Sequence, residues 1–394
     1  MALRIPGTRL CLRACLVALA AFLLVCHSSA LPAREGPIQV ILTNGSQGPL
    51  AQVPVYVTVT GVDGAGRFLH LDSSGQFLPC LASDNAVPRD GTTWCAYSQP
   101  LVSPALPMDP GPGVAGGRLY LSIGAPLLLR VEPATGALVQ PDPANPTDPN
   151  AAILFDWVEF TLDATGFHGN TTCVDQFALP ITLEALDGAG GSTGQVGLLE
   201  RRTDLLRSYL AEVPPAFGAL ADPRGLRILA PGHAPPGPLR AWLAPYLQEQ
   251  WERYRTEPLV LTPDEGTFTG WVQPGGQLTF TRPGDPETYS IQAMPTTLET
   301  FRCDGVLAQG SPLDKVLGAQ VGALLNRHLL ERPLDWRSAG FFYQAGPCNA
   351  YAAFWHRHGL DHLAYGFPYD DVAGQATLVH LANPAQLRIG FRVD

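Results

Sequence analysis

Residues 155–180 read FDWVEFTLDATGFHGNTTCVDQFALP, and this stretch is the most informative part of the sequence. Its apolar residues Val158 and Phe160 alternate with other side chains, which is the period of a β-strand that buries one face. Glu159, between them, points to the opposite face. Asp175 follows a polar Asn-Thr-Thr turn, where we expect a neighbouring strand. The stretch therefore predicts a half-buried β-sheet with two carboxylates on its open side.

Further strands are indicated on both sides of this stretch. The chain contains 41 Gly and 38 Pro, many of them in turns that separate short β-like runs, a pattern typical of a β-sandwich or barrel. The runs occupy residues 38–42, 53–62, 118–123, 126–131 and 378–393. The chain is thus predicted to begin and end in β structure.

The pattern changes after the Gly-rich residues 187–197, where apolar side chains take up the helical period. Helices are predicted over residues 198–213, 238–255, 313–330 and 349–358. Short β runs between them cover residues 226–229, 258–261 and 277–282. We therefore predict an α/β domain inserted into the β part, which makes the fold class α+β.

The first residues read as an export signal. Residues 1–33 contain three arginines, an apolar run too short to span a bilayer, and then small residues, so we expect a signal peptide and a secreted protein. No later stretch predicts a membrane span. The net charge of −10 argues against nucleic acid and anionic membranes as partners, since both bind basic surfaces. A neutral polysaccharide is compatible with this charge.

Export permits disulfide bonds. Three of the eight cysteines lie in residues 1–33, which leaves the odd set Cys80, Cys95, Cys173, Cys303 and Cys348. Cys80 and Cys95 flank one loop of the β part and are predicted to be bridged. Cys303 and Cys348 form the second predicted pair, which makes Cys173 the free thiol.

One cluster near the C-terminus, His356, His358, Asp361 and His362, has the composition of a metal site. Residues two apart on a helix point to different faces, and Gly359 is expected to end the helix between them. The chain also lacks the CxxC spacing of a zinc ribbon. We therefore predict neither a metal nor another cofactor.

The pair Glu159 and Asp175 suggests chemistry on sugars. An indole can stack on the apolar face of a pyranose, and we expect Trp157 to be exposed beside Glu159 on the open strand face. Two carboxylates that flank a cleft are the minimum for hydrolysis of a glycosidic bond. The chain has 35 acidic residues, so such a pair also arises by chance. A sugar-binding module without turnover therefore stays open at this point.

The segment WVEFTL…NTTCVDQFALPI resembles the signature of glycoside hydrolase family 64, β-1,3-glucanases that release laminarin-type pentasaccharides. Other motifs extend the resemblance over nearly all of the mature chain. They are GTFTGWV at 266–272, FRCDGVLAQG at 301–310, LNRH at 325–328, NAYAAFWHRHG at 349–359 and AYGFPYDDV at 364–372.

The resemblance implies a thaumatin-like β-barrel or sandwich with an inserted α/β domain and a wide groove between them. Its first part would occupy residues 34–189, the insertion residues 190–359, and the return to the barrel residues 360–394. We expect a monomer whose partner is β-1,3-glucan.

The resemblance also implies roles for individual residues. Glu159 takes the position of the general acid and Asp175 that of the general base of an inverting endo-β-1,3-glucanase. The positions expected to contact substrate are Trp157, Thr161, Asp163, His168 and Thr172. The family pattern leads us to expect an amide at 163 and an aromatic at 168, so the product length is open. A glucan-binding module without turnover and a hydrolase of another β-glucan remain the alternatives.

Overall fold

The structure is a computed structural model that describes residues 36–89, 91–109, 111 and 113–394. The predicted signal peptide, residues 1–33, lies outside the described residues. Among the residues described, no helix is both long and apolar enough to cross a membrane.

Strands dominate the described chain at both of its ends. In chain order they are β1 Ile38–Asn44, β2 Val55–Val62, β3 Phe68–Leu71, β4 Phe77–Pro79, β5 Asn85–Arg89, β6 Thr92–Cys95, β7 Gln99–Pro100, β8 Ala105–Met108, β9 Val114–Ile123, β10 Arg130–Val131, β11 Leu138–Val139, β12 Leu154–Asp163, β13 Gly166–Thr171, β14 Gln176–Phe177, β15 Ile181–Asp187, β16 Val196–Gly197, β17 Ile228–Leu229, β18 Leu259–Leu261, β19 Phe268–Val272, β20 Leu278–Thr281, β21 Thr288–Ile291, β22 Leu378–Leu381 and β23 Pro384–Phe391.

The α-helices lie in the middle of the chain. They are α1 Arg202–Glu212, α2 Pro215–Gly218, α3 Ala244–Arg253, α4 Thr297–Arg302, α5 Pro312–Arg327 and α6 Ala350–His358. Helix α5 begins where the sequence supplies a capping box: Ser311 Oγ accepts from the Asp314 N–H, and the Asp314 carboxylate accepts from the Ser311 N–H. It ends at His328, which takes the left-handed conformation.

Two large sheets unite strands from the two ends of the chain. One has five strands in the order β16-β15-β23-β1-β8, and the other has eight, seven of them in the order β22-β13-β12-β9-β2-β3-β4 with β7 beside β2. β23 lies parallel to β1, from Gln39 opposite Gln386 to Asn44 opposite Phe391. β22 pairs with β13. The C-terminal strands β22 and β23 are therefore part of sheets that also contain strands from the first part of the chain.

The apolar faces of the two sheets share one core. Val158 and Phe160 of β12 are buried in the same cluster as Leu183 of β15 and Ile389 of β23. The helices and the four-stranded sheet β18-β19-β20-β21 surround a second, separate core. The fold is therefore mixed α+β and rich in β structure. Strands β14 and β17 connect the two regions, since Gln176 pairs with Leu229 and Phe177 with Ile228.

One strand predicted in the β part is largely absent from the structure. The strand predicted over residues 126–131 is reduced to Arg130–Val131. Leu127 to Leu129 are buried, and Leu127 and Leu129 belong to a small core, but they form no regular ladder. An apolar run signals burial but does not by itself specify a strand.

The predicted disulfides are also wrong, because all five described cysteines are free thiols. Cys80 and Cys95 are buried in one cluster, but Cys95 Sγ donates to Asn85 Oδ1 at 3.1 Å. Cys303, predicted to pair with Cys348, instead directs Sγ to the Thr300 carbonyl at 3.4 Å. These thiols thus have polar partners of their own. Cys173 is free, as predicted.

Candidate active site

Glu159 lies in the middle of β12, on the polar face of the eight-stranded sheet. The strand alternates as the sequence predicts, so Val158 and Phe160 enter the core between the sheets. In the register of the sheet, Glu159 is opposite Arg118 of β9 on one side and Asn170 of β13 on the other. These pairings fix the height of the carboxylate on the sheet.

Two donors reach the same oxygen of Glu159. Trp157 Nε1 donates to Glu159 Oε1 at 3.2 Å, and Arg118 Nη2 lies 3.2 Å from that oxygen. The side chain of Glu159 retains 23 % of its exposure, whereas that of Arg118 retains 15 %. The carboxyl group is therefore partly shielded but reachable from solvent.

Asp175 follows β13, and its carboxylate lies between side chains from two regions of the chain. Its Oδ2 is 3.8 Å from Arg118 Nη2, and its Oδ1 is 3.2 Å from His233 Nε2. Burial raises the pKa of Asp175, but the hydrogen bond and charge of His233, together with the charge of Arg118, outweigh it and lower that pKa. Asp175 is thus held in its ionised form.

One guanidinium nitrogen joins the two carboxylates. Because Arg118 Nη2 contacts both Glu159 Oε1 and Asp175 Oδ2, the separation of these oxygens cannot exceed the sum of the two contact distances, about 7 Å. The arrangement brings together an acidic pair that the sequence placed on neighbouring segments.

Trp157 does not lie where the sequence placed it. The expectation of an exposed indole is wrong, because the side chain is only 2 % exposed and packs with Tyr120 and Phe155. Arg118 covers the ring at 5.0 Å from its centroid. The physical reason is that the indole packs into the small hydrophobic core beneath this end of the sheet. Its contribution to the site is the N–H directed to Glu159.

The two threonines singled out from the sequence are buried near the pair. Thr161 lies one rung along β12 from Glu159, and its hydroxyl accepts from the Gly116 N–H at 3.4 Å. Thr172 is in the turn before Asp175, where its hydroxyl accepts from the Val174 N–H at 3.2 Å. Both hydroxyls thus bind backbone N–H groups close to the two carboxylates.

Asp163 and His168 lie together at the end of the β12–β13 hairpin. Thr165 Oγ1 connects them, at 2.5 Å from Asp163 Oδ1 and 2.7 Å from His168 Nε2. His168 stacks on His380 of β22, with ring centroids 4.3 Å apart. The register aligns Thr161, His168 and His380 across three strands. The polar face thus continues from Glu159 to a pair of stacked imidazoles.

A buried charge network supports the turn that carries Asp175. Cys173 receives the hydroxyl of Tyr351 on its carbonyl at 2.7 Å and donates its N–H to the Tyr365 carbonyl at 2.8 Å. The segment after Tyr365 is in turn anchored by Asp370, whose carboxylate pairs with two buried cations. They are Arg327 at 2.9 Å and His356 at 2.9 Å.

The histidines near the C-terminus bind different carboxylates in different parts of the structure. His356 binds Asp370, whereas His358 binds Glu200 through Nδ1 at 2.5 Å. Across the described part of the chain, no group of three or more His, Cys, Asp or Glu side chains is arranged to hold a metal ion.

Sequence reasoning missed Arg118 and His233. Arg118 had a detectable signal, since it opens a predicted strand and a buried arginine requires an acidic partner. His233 had none: it lies in the short 3-10 turn Pro231–His233 and meets Asp175 only through the tertiary fold.

Comparison with known proteins agrees with this architecture. Residues 36–391 match the family Glyco_hydro_64, described as Beta-1,3-glucanase. A β-1,3-glucanase domain of family 64 from Clostridium beijerinckii superposes with a TM-score of 0.84 at 29 % identity, over 92 % of this chain and 100 % of that one. The laminaripentaose-producing β-1,3-glucanase from Paenibacillus barengoltzii, solved with laminarihexaose, gives 0.71 at 30 % identity, over 92 % of this chain and 78 % of that one.

A glucan endo-1,3-beta-glucosidase from Cellulosimicrobium cellulans is 33 % identical over 286 residues. The match covers 68 % of this chain and 50 % of that protein. A second, from an Arthrobacter species, has the same identity and coverage. The chain thus spans about half the length of the curated relatives it matches.

Proposed function

This chain belongs to glycoside hydrolase family 64, the β-1,3-glucanases, and we propose that it hydrolyses β-1,3-glucan at internal bonds of the polymer. The observation that carries the proposal is the carboxyl pair Glu159 and Asp175, connected through Arg118 on the polar face of a sheet. The relatives named as β-1,3-glucanases support the choice of polymer.

Glu159 acts as the general acid. Both of its recorded donors, Trp157 Nε1 and Arg118 Nη2, reach Oε1. A protonated carboxyl group accepts through its carbonyl oxygen and carries hydrogen on the other, so the proton belongs on Oε2. From there it passes to the departing glycosidic oxygen as the bond breaks.

Asp175 acts as the general base. Its lowered pKa keeps Asp175 ionised and able to accept a proton. In an inverting reaction the carboxylate takes a proton from water, which attacks the anomeric carbon from the face opposite the leaving oxygen. Neither step requires a cofactor.

The spacing of the pair decides between two stereochemical outcomes. Retaining enzymes have carboxyl groups about 5–5.5 Å apart, whereas inverting enzymes need about 6.5–9.5 Å to admit the water. The limit of about 7 Å between the two oxygens bound by Arg118 admits either spacing. We propose inversion, for which the new reducing end is first the α-anomer.

The architecture we propose is a thaumatin-like β-barrel or sandwich made of residues 34–189 and 360–394, with residues 190–359 inserted as an α/β domain that faces it across a groove. The parallel pairing of β1 with β23 and the two separate cores support it. We further propose a monomer exported by residues 1–33. Substrate contacts in the groove are assigned to Thr161, Asp163, His168 and Thr172, whereas the buried Trp157 acts through the N–H that it donates to Glu159.

The test uses laminarin and two variants that keep the size of the side chain. Glu159→Gln removes the transferable proton and Asp175→Asn removes the base, so each should lower the release of reducing sugar by about 10²–10⁴-fold. Glu184→Gln is the matched control, because Glu184 also sits on a strand beside an arginine, Arg388 at 3.5 Å. Near-normal turnover in either site variant would exclude the assignment.

Two further measurements address the alternatives. A wild-type protein that binds laminarin but releases no reducing sugar would be a binding module. A panel of β-1,3-, β-1,4- and mixed-linkage glucans should give turnover mainly on the first. NMR of fresh product should detect the α-anomer before mutarotation, and an initial β-anomer would replace inversion by retention.

A further inference from the structure

We infer that His233 is the positioning residue of the catalytic base: it fixes the orientation and the ionised state of Asp175, and thereby determines which carboxylate of the pair accepts a proton. The inference rests on the proposed function and adds a residue from the helical region to the reaction.

His233 determines which oxygen of Asp175 faces the acid. Its Nε2 lies 3.2 Å from Oδ1, while Oδ2 lies 3.8 Å from the Arg118 nitrogen that also contacts Glu159. The hydrogen bond to Oδ1 therefore turns Oδ2 toward Glu159, where the attacking water must be held. Without the imidazole, the carboxylate could rotate about its last bond and present either oxygen, or neither.

The turn that carries His233 is held in place by backbone hydrogen bonds and by its packing against α4. The Ala230 N–H donates to the Asp175 carbonyl at 2.9 Å, and the His233 N–H donates to the Ala230 carbonyl at 2.9 Å. Arg302 Nε binds the Gly232 carbonyl at 2.5 Å. A Cβ added at Gly232 would come within 2.8 Å of Arg302 Cγ, so the turn is packed closely against α4. The backbone of this turn and the imidazole of His233 thus both bind Asp175.

The charged groups around the pair make its two members unequal. Arg118 of β9 contacts both carboxylates, and Glu159 of β12 faces Asp175 across it. His233 contacts Asp175 alone. Arg302 and Arg240 also border the turn, but their guanidinium groups bind the carbonyls of Gly232 and Ala234. Arg118 is therefore shared by both carboxylates, whereas His233 acts on Asp175 only.

Replacement of His233 should therefore change the pH profile more than substrate binding. His233→Ala removes the hydrogen bond to a charged group, and we expect kcat to fall about ten- to a hundredfold. The acidic limb of kcat/KM should move about one to two pH units upward, because Asp175 would then protonate more readily. The KM for laminarihexaose should change less than about twofold, since the role inferred for the imidazole is to orient Asp175 and not to bind the sugar.

Two variants serve as controls. His233→Gln keeps an N–H near the position of Nε2 and should restore most of the acidic limb. His362→Asn replaces an exposed histidine in the left-handed conformation, which asparagine tolerates, and should leave both kcat and the limb unchanged. A uniform fall in activity with an unmoved acidic limb in His233→Ala would mean that His233 is only structural, and would overturn the inference.

A measurement without turnover separates this inference from the proposed function. In the Glu159→Gln protein, the carboxyl carbon of Asp175 can be titrated by ¹³C NMR and identified by its loss in Asp175→Asn. Addition of His233→Ala should raise the midpoint by about one to two pH units, and addition of His233→Gln by much less. An unchanged midpoint would refute the role of His233. If Asp175→Asn retained activity while the midpoint moved, the catalytic assignment would fail and the effect of His233 on Asp175 would stand.

Discussion

Arg118 shows how one residue lets two carboxylates share a small space. Like charges a few ångströms apart repel, and a pair of carboxylates without a cation keeps one of its protons to a high pH. The guanidinium contacts both groups and rests on the indole of Trp157. Its planar shape allows contact with two acids and an aromatic ring at once, which a lysine would not reproduce. Arg118 thus stabilises both members of the pair, and His233 adds a contact that only Asp175 receives.

His168 is expected to act on substrate affinity rather than on the bond-breaking step. His168 is opposite Thr161, which is two residues and about 7 Å along β12 from Glu159. In His168→Ala the stacked pair with His380 is lost, and the KM for laminarihexaose should rise about two- to tenfold with kcat nearly constant. His70→Ala removes a histidine stacked on Tyr97, outside this rung, and is the control.

The same residue gives a pH dependence of binding. Burial lowers the pKa of His168, the charge of His380 lowers it further, and Asp163 opposes them. The imidazole is therefore neutral at the ordinary histidine pKa of 6.5 and takes up a proton only below it. KM should be constant above this value in wild type and change at lower pH, whereas in His168→Ala that change should disappear. A loss of kcat at constant KM would contradict a binding role.

At the scale of elements, Asp370 ties α5, α6 and the segment after Tyr365 together. Its carboxylate is fully buried, with Arg327 of α5 and His356 of α6 on its two oxygens. Arg327 also donates to the carbonyls of Asp370 and Val372. Because the Tyr365 carbonyl receives the Cys173 N–H, this network supports the turn that leads to Asp175.

Asp370→Asn should lower the free energy of unfolding by about 3–5 kcal/mol, because it leaves the buried Arg327 without its counter-charge. Asp264→Asn removes the partner of Arg337 at the surface, where Asp264 is 89 % exposed, and should change stability by less than about 1 kcal/mol. Denaturant unfolding of both variants measures the difference. Equal effects would mean that the buried network contributes no more than a surface pair.

The pH dependence of this network follows from two opposite shifts. Burial raises the pKa of Asp370, but His356 and Arg327 outweigh it and lower that pKa, so its contribution is present above the unfolded value of 3.8 and is lost as pH falls through the folded pKa. Burial lowers the pKa of His356, but Asp370 raises it above 6.5, so its contribution is complete below 6.5 and lost as pH rises through the folded pKa. The network should thus stabilise the fold most between pH 3.8 and pH 6.5. In Asp370→Asn, the free energy of unfolding should depend less on pH.

The elements themselves were largely predictable, and the contacts between distant ones were not. The period of the sequence around Val158 fixed β12, and the apolar spacing around Leu317 and Val321 fixed α5. The carboxylates followed, since they lie in or beside a strong strand. His233 could not be predicted, because this loop residue reaches Asp175 only when Gln176 pairs with Leu229 in the folded chain. Residues 126–131 mislead for a related reason: tertiary packing, not periodicity, decides whether a buried run forms a ladder.

At the scale of the whole molecule, the candidate site joins the two cores. Glu159 and Arg118 belong to the large sheet, whereas His233 lies between helices α2 and α3 of the region that forms the second core. The β14–β17 ladder fixes their relation, with the Ala230 N–H on the Asp175 carbonyl as its continuation. The base is therefore completed only when both regions have folded. Such a junction between two packed regions is a common location for ligand sites.

The charge of the whole molecule predicts how catalysis responds to salt. The net charge is −10, yet β-1,3-glucan is neutral, so its binding releases no counter-ions and gains nothing from long-range attraction. The ion pairs of the site are partly shielded, with Arg118 15 % and Glu159 23 % exposed, and salt screens such pairs less than exposed ones. We expect KM and kcat on laminarin to change less than about twofold between about 0.05 and 0.5 M NaCl.

A charged form of the same polymer provides the matched comparison. Carboxymethylated β-1,3-glucan carries negative charge, and the acidic protein should repel it at low ionic strength. Its KM should therefore fall as salt is added, by screening of the repulsion, while that of laminarin stays constant. The decisive result is the laminarin curve: a KM that rises steeply with salt would mean that binding depends on exposed cations meeting an anionic group. A neutral glucan lacks such a group, so the expectation that binding is independent of salt would then be wrong.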